Sequence, residues 1–96
     1  MHWLYSLLKR LSISNPYTST VGVVTYCGTE KVEVWRTVVR YNYSFQSQTY
    51  EGVKLYAVKS QMEARLLADK LVRQYPIASE HSIQVHKEKP WLSKLS

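Results

Sequence analysis

A chain of 96 residues with 45% hydrophobic content has enough apolar material for one core and is not the composition of a disordered segment. Thirteen Lys and Arg against seven Asp and Glu leave a net charge of +6, which favours anionic partners without dictating a fold. Cys27 stands alone, which excludes an intrachain disulfide, a thiolate zinc cluster and a dithiol redox pair.

The elements follow in chain order. From His2 to Ser12, Trp3, Leu4, Leu7, Leu8 and Leu11 recur at spacings of three and four, with Lys9 and Arg10 beside them. That spacing predicts an amphipathic helix, and residues 1–14 are taken as this helix and a linker. It is far shorter than the roughly 20 apolar residues that span a bilayer, and the stretch lacks the ordered regions of a signal peptide. The expected compartment is therefore the cytoplasm, with a peripheral membrane contact as the variant. Asn15-Pro16 breaks the pattern, because the residue before proline resists helical angles.

"TVGVVTYC", Thr20 to Cys27, is rich in β-branched residues and predicts a strand, with Gly28 marking a turn. From Val32 to Gln46 the chain alternates. Trp35, Thr37, Val39, Tyr41, Tyr43 and Phe45 share one face, and Arg36, Val38, Arg40, Asn42, Ser44 and Gln46 the other. "QSQT" connects this strand to the return strand "YEGVKLYAV", and so short a connection makes the pair antiparallel. "SQME" at Ser60 to Glu63 is a capping box opening a helix over 60–75, whose buried stripe is Ala64, Leu67, Ala68, Leu71 and Tyr75. Pro76 ends it. "HSIQVHKE" reads as a last short strand, and the tail "KPWLSKLS" shows no periodicity.

The fold class is α+β: a single domain over 1–96 whose β-rich core occupies 18–95. A small, twisted antiparallel sheet in the order β-β-β-α-β carries one packed helix, with the N-terminal helix added. The alternative is a small, partly open barrel of the oligonucleotide-binding kind, which also places a helix between its third and fourth strands but needs one more strand than the sequence displays.

"YNYSFQSQTYEG" and "LVRQYPIASEHSIQVHKEKPWLSKL" together resemble the bacterial domain-of-unknown-function family 3592. Tyr41, Tyr43, Phe45, Tyr50 and Gly52 fill the family's aromatic hairpin; Tyr75, Pro76, Val85, Pro90, Ser93 and Leu95 fill its second half. "STVGVV" resembles its opening strand, so the likeness runs from about Thr18 to Leu95. Ser47 stands where the family has its turn glycine, and Ala78 and Ser79 stand where a glycine follows tyrosine-proline. The resemblance implies a β-rich domain, often beside membrane-spanning helices in its relatives. It implies no activity, cofactor or site residue.

Chemistry is sparse. Cys27 is the one candidate nucleophile, with His81 or His86 as its base, but a thiol at the end of an apolar strand is more often buried and inert. His81 and His86 fall on opposite faces of a strand, a spacing that does not suit a zinc pair. No glycine-rich phosphate loop is present. The reading is a non-enzymatic module without cofactor or metal that contacts another protein through Arg36, Arg40 and Lys54. The alternative is nucleic acid or an anionic membrane surface bound through the same charges. Tyr41, Tyr43 and Phe45 alternate against the arginines, so they are assigned to the core and not to base stacking. Trp3, Leu7, Leu11 and Trp91 are the candidates for a membrane contact or a homodimer interface.

Overall fold

The computed structural model describes residues 15–96; the expected N-terminal helix, with Trp3, Leu7 and Leu11, lies outside them. The elements are β1 (Tyr17–Val32), β2 (Val34–Phe45), β3 (Gln48–Ala57), α1 (Gln61–Gln74), β4 (Glu80–His86) and β5 (Ser93–Leu95). Every strand pair is antiparallel, in the sheet order β3-β2-β1-β4-β5. The sheet curls into a half-barrel with α1 against its inner face. Its edge strands β3 and β5 come alongside each other across a cleft of about 410 Å³, without pairing.

The α+β class therefore holds, with one strand more than the expected order. β5 escapes periodicity because three residues are too few to show alternation. It is set by its neighbour instead: Leu95 lies opposite Ile83 and Ser93 opposite Val85.

β1 runs well beyond the expected Cys27. Gly28 is not a turn but a strand position under the ring of Tyr26, where a side chain would strike the tyrosine hydroxyl. The turn falls at Glu33, which takes a left-handed φ of 65°. β1 can be this long because it serves two neighbours in succession, β4 through Tyr17–Val23 and β2 through Gly22–Val32. Between them the register slips, with Val24 opposite Tyr41 and Tyr26 opposite Arg40, so Thr25 is the extra residue of a bulge. The bulge exchanges the faces of β1: Gly22 and Val24 point inward before it, Cys27 and Thr29 after it.

β2 keeps the alternation that the sequence shows. Thr37, Val39, Tyr41 and Tyr43 are buried inward, and Phe45 packs at the rim of the same core. Tyr43 stacks on Tyr50 of β3 with centroids 5.5 Å apart, and the ring of Tyr41 occupies the space where Gly52 has no side chain. The β2–β3 turn uses Gln46 and Ser47 at φ 51° and 66°, the two left-handed residues of the tight hairpin turn whose twist matches the strands.

The Ser60 hydroxyl caps α1 by accepting the Glu63 amide at 3.2 Å. The Glu63 carboxylate reaches back to the amide of Lys59, one residue before the expected partner. Ala64, Leu71 and Tyr75 are buried and Leu67 and Ala68 half-buried, as the stripe predicts. The buried Thr37 hydroxyl donates to the Ala64 carbonyl at 2.8 Å and pins the start of the helix to β2.

Two stability predictions follow from this packing. Tyr43→Ala empties a site buried to 2% exposure and should cost on the order of 3–5 kcal/mol in chemical denaturation; a loss below about 1 kcal/mol would remove Tyr43 from the core. Ala78 holds a φ of 71° while its amide donates to the Val24 carbonyl at 2.8 Å. Ala78→Gly should relieve that left-handed strain and raise stability by up to about 1 kcal/mol, read from the same denaturation midpoints.

Candidate functional site

Arg36 and Arg40 lie on the outer face of β2, where both reach one carboxylate on β1. Arg36 Nε donates to Glu30 Oε1 at 2.7 Å and an Arg40 terminal nitrogen to Glu30 Oε2 at 3.1 Å. The hydrogen bond from Arg36 is the largest influence on the Glu30 carboxyl; with the bond from Arg40 and the field of both cations it outweighs desolvation and holds the carboxyl below its ordinary value of 4.5. Arg40 also lies 3.9 Å from Glu51 on β3. The cluster is an Arg–Glu–Arg bridge, and its cations are largely answered from within the sheet.

Lys54 belongs elsewhere. It lies opposite Val39, hence on the inward-facing set of β3, with its ammonium 5.6 Å from the centre of the Tyr56 ring. It lines the cleft between β3 and β5 together with Tyr41, Ser93 and Lys94. The structure thus brings Arg36 and Arg40 together and separates Lys54 from them by the thickness of the sheet.

The outer face is also less polar than the alternation of β2 alone suggests. Val38 is fully buried there, between Gly28 on β1 and Leu55 on β3. Tyr26, Val53 and Leu55 surround it, and Val21 and Val23 continue the apolar surface along β1, all of them exposed. The expectation took this face from β2 by itself; β3 and the bulged β1 supply the apolar residues.

Beyond Val24, β1 pairs on one side only. Its last backbone bonds on the β4 side run from the Val24 amide to Ser79 and from Ala78 to the Val24 carbonyl. From Thr25 to Val32 no strand among the described residues lies against that edge. At the tip of this β1–β2 arm Val32 and Val34 are each 56% exposed, and the Lys31 ammonium stands 5.3 Å from the Trp35 ring centre.

The loop from β4 to β5 presents Trp91 at 62% exposure among Lys87 and Lys89. It is built on His86, whose Nδ1 accepts the amides of Glu88 and Lys89 at 3.2 and 3.0 Å. His86 therefore acts as a loop anchor, facing outward with its ring edge-on to Tyr17. His81 faces inward, edge-on to Tyr75. Among the described residues no three His, Cys, Asp or Glu side chains cluster as a metal site.

Cys27 packs against the core, and burial pushes its thiol above the ordinary value, which keeps it protonated at neutral pH. A serine-histidine contact that the sequence reading missed links Ser79 Oγ to His81 Nε2 at 2.7 Å. Its polarity is wrong for nucleophilic activation, because the Ser79 hydroxyl donates to the Pro76 carbonyl. The ring then supplies the N–H to Ser79 instead of accepting its proton. Glu30 was missed for another reason: with the turn placed at Gly28, its cross-strand position opposite Arg36 could not be foreseen.

No helix of the described residues is long and apolar enough to cross a membrane. Comparison with protein-family models, with curated proteins and with solved structures gave no match.

Glu30→Gln should destabilise the fold at neutral pH, because it leaves two neighbouring guanidinium groups without their shared anion. A carboxyl with a depressed folded pKa contributes stability that is present above its unfolded value and is lost as pH falls through its folded value. The gap between parent and variant in denaturation midpoint should therefore be full at pH 7 and close as pH falls below 4.5. A gap independent of pH would show that the bridge adds nothing electrostatic.

Proposed function

We propose that this chain is a non-enzymatic binding module whose docking element is the β1–β2 arm, and that it takes an extended segment of a partner protein along the arm's open edge. The observation that carries the reading is the run Thr25–Val32, whose edge away from β2 has no strand against it among the described residues. A strand edge offers a row of amide donors and carbonyl acceptors to any extended chain, and strand addition converts that row into affinity. Val32, Val34 and Trp35 at the tip supply apolar contact, and the Arg36–Glu30–Arg40 bridge beside them supplies polar contacts with both signs of charge. Lys54 takes no part.

A second reading, binding of single-stranded nucleic acid, gains from one observation. With β5 in place, five strands curl into a half-barrel with a helix between the third and fourth, as in oligonucleotide-binding barrels. The exposed Trp91, two residues after Lys89 in the loop that also carries Lys87, is the stacking residue that such a surface needs. Against it, Glu30 and Glu51 occupy the outer face of β1 to β3 and answer its arginines. The kinship with family 3592 is likewise a proposal, and it adds no partner.

The test is a selection of peptides from a displayed random library against the intact chain, followed by amide hydrogen exchange of the complex. Selected peptides should be extended and should slow exchange within Thr25–Val32, with affinity that changes little with salt. Protection confined to other elements would refute the arm. Oligonucleotide binding that shifts Lys87, Lys89 and Trp91 and weakens steeply with salt would replace this reading with the nucleic-acid one.

A further inference from the structure

The cleft between the edges of β3 and β5 holds a charge that the fold leaves unanswered. Among the described residues no carboxylate lies within ion-pair distance of Lys54, and none lines the cleft. The Lys54 ammonium stands 5.6 Å from the Tyr56 ring centre, near the outer limit of a cation–π contact, so its N–H groups remain to be donated. Lys94, at the same cleft, is turned to the Tyr17 ring at 4.3 Å instead. Arg36 and Arg40 are already engaged by Glu30.

Other donors converge on the same cleft. Tyr41 and Ser93 share a single hydrogen bond of 2.7 Å between their hydroxyls, so one of their two protons is left for a further acceptor. Desolvation raises the Tyr41 phenol most, and the field of Lys54 is among the influences that lower it, as an ammonium close to this hydroxyl pair would. The main chain adds more. The Val58 amide bonds to the Trp35 carbonyl, and bonded pairs alternate along an antiparallel ladder, so the main-chain groups of Val53 and Leu55 point away from β2. The bonds from His86 to Leu92 and from Ser96 to Ser82 likewise turn the main-chain groups of Ser93 and Leu95 away from β4. Both sets face the cleft, where β3 and β5 do not pair.

A slot of about 410 Å³ with an ammonium, a spare hydroxyl proton and unpaired amides suits an anionic group. One ammonium matches the single charge of a carboxylate better than the roughly double charge of a phosphate monoester. Val53 and Leu55 are exposed at the mouth, where an apolar remainder can rest on them. We propose that the β3–β5 cleft binds a small organic carboxylate, with its oxygens on Lys54 and the Tyr41–Ser93 hydroxyl pair and its carbon chain against Val53 and Leu55. The site uses none of the Thr25–Val32 edge, so it stands independently of the function proposed for the arm.

Butanoate is the probe, titrated into the isotope-labelled intact chain and read from backbone amide signals, with butanol as the uncharged control. Butanoate should shift the amides of Val53, Leu55, Ser93 and Leu95 to saturation, and butanol at the same concentrations should not. Lys54→Met should weaken butanoate by about tenfold or more, while Lys54→Arg should retain it. A footprint of the parent chain gives a second readout: butanoate should slow acylation of Lys54 by an amine-reactive reagent and leave the exposed Lys87 unchanged. Equal shifts with butanol, or butanoate shifts confined to other residues, would overturn the site. So would an unchanged affinity in Lys54→Met. Tighter binding of inorganic phosphate than of butanoate would overturn the choice of a carboxylate. Slow hydrogen exchange at the four amides in the free chain would show β3 paired with β5 and no slot between them, and the proposal would fall with it.

Discussion

Buried tyrosines organise this fold, because a phenol can enter a core only if its hydroxyl finds a partner there. Tyr41 and Tyr43 are almost fully buried on β2 and Tyr75 at the end of α1. All three hydroxyls find partners in the C-terminal tail. Tyr41 meets Ser93 Oγ at 2.7 Å, Tyr43 donates to the Pro90 carbonyl at 2.6 Å, and Tyr75 donates to the Ser96 carbonyl at 3.1 Å. Desolvation, the largest influence on Tyr41, pushes its pKa up, so the phenol stays neutral and able to donate. Among the described residues no buried side-chain polar atom lacks a partner. The tail is held over the open end of the sheet by these bonds, and β5 is the consequence.

This explains which parts of the fold can be read from the sequence. The inward face of β2 is plain because the alternation over the seven residues from Thr37 to Tyr43 repeats one local rule. The cap at Ser60 and the stripe of α1 are plain for the same reason. β5 is not, because its cause lies some fifty residues upstream in the hydroxyls of Tyr41 and Tyr43. Gly28 misleads in the opposite direction. A glycine in a strand-like run suggests a turn, whereas here it makes room for the ring of Tyr26, a contact between neighbours that spacing does not encode. The site was partly legible. The sequence places Arg36 and Arg40 on one outward face, but it shows neither the carboxylate between them nor the separation of Lys54.

The bulge at Thr25 has the widest effect on the surface. A single extra residue turns Tyr26, Gly28 and Glu30 outward, where an uninterrupted strand would present Thr25, Cys27 and Thr29. The outer face thereby receives both Glu30, which gathers the two arginines, and Tyr26, which shields Val38. Without the slip the arginines would face two threonines and Cys27, and Glu51 beside Arg40 would be the carboxylate left to them. As folded, the positive charge is dispersed: Arg36 and Arg40 on Glu30, Lys31 and Lys54 over aromatic rings, Lys94 over Tyr17. Overall charge is for that reason a weak guide to the partner, and the shape of the backbone is a stronger one.

An open strand edge ordinarily invites indiscriminate pairing, and natural sheets restrain it with charges, bulges or short length. The Thr25–Val32 edge has a bulge at its root and Glu30 and Lys31 near its tip, which suit selective pairing better than an unguarded apolar strand. The tip is where restraint is weakest, because Val32 and Val34 are exposed and only Lys31, Glu33 and the half-buried Trp35 stand between them and solvent. A partner that satisfies this edge must bring backbone groups along its length and an apolar contact at its end. A polyanion brings neither, since its phosphates would meet Glu30 beside the arginines and its bases would find Tyr26 as the aromatic ring next to the bridge. An arrangement of edge, tip and bridge of this kind would suit the extended polypeptide proposed for the arm, on the basis of hydrogen-bond geometry before charge is considered.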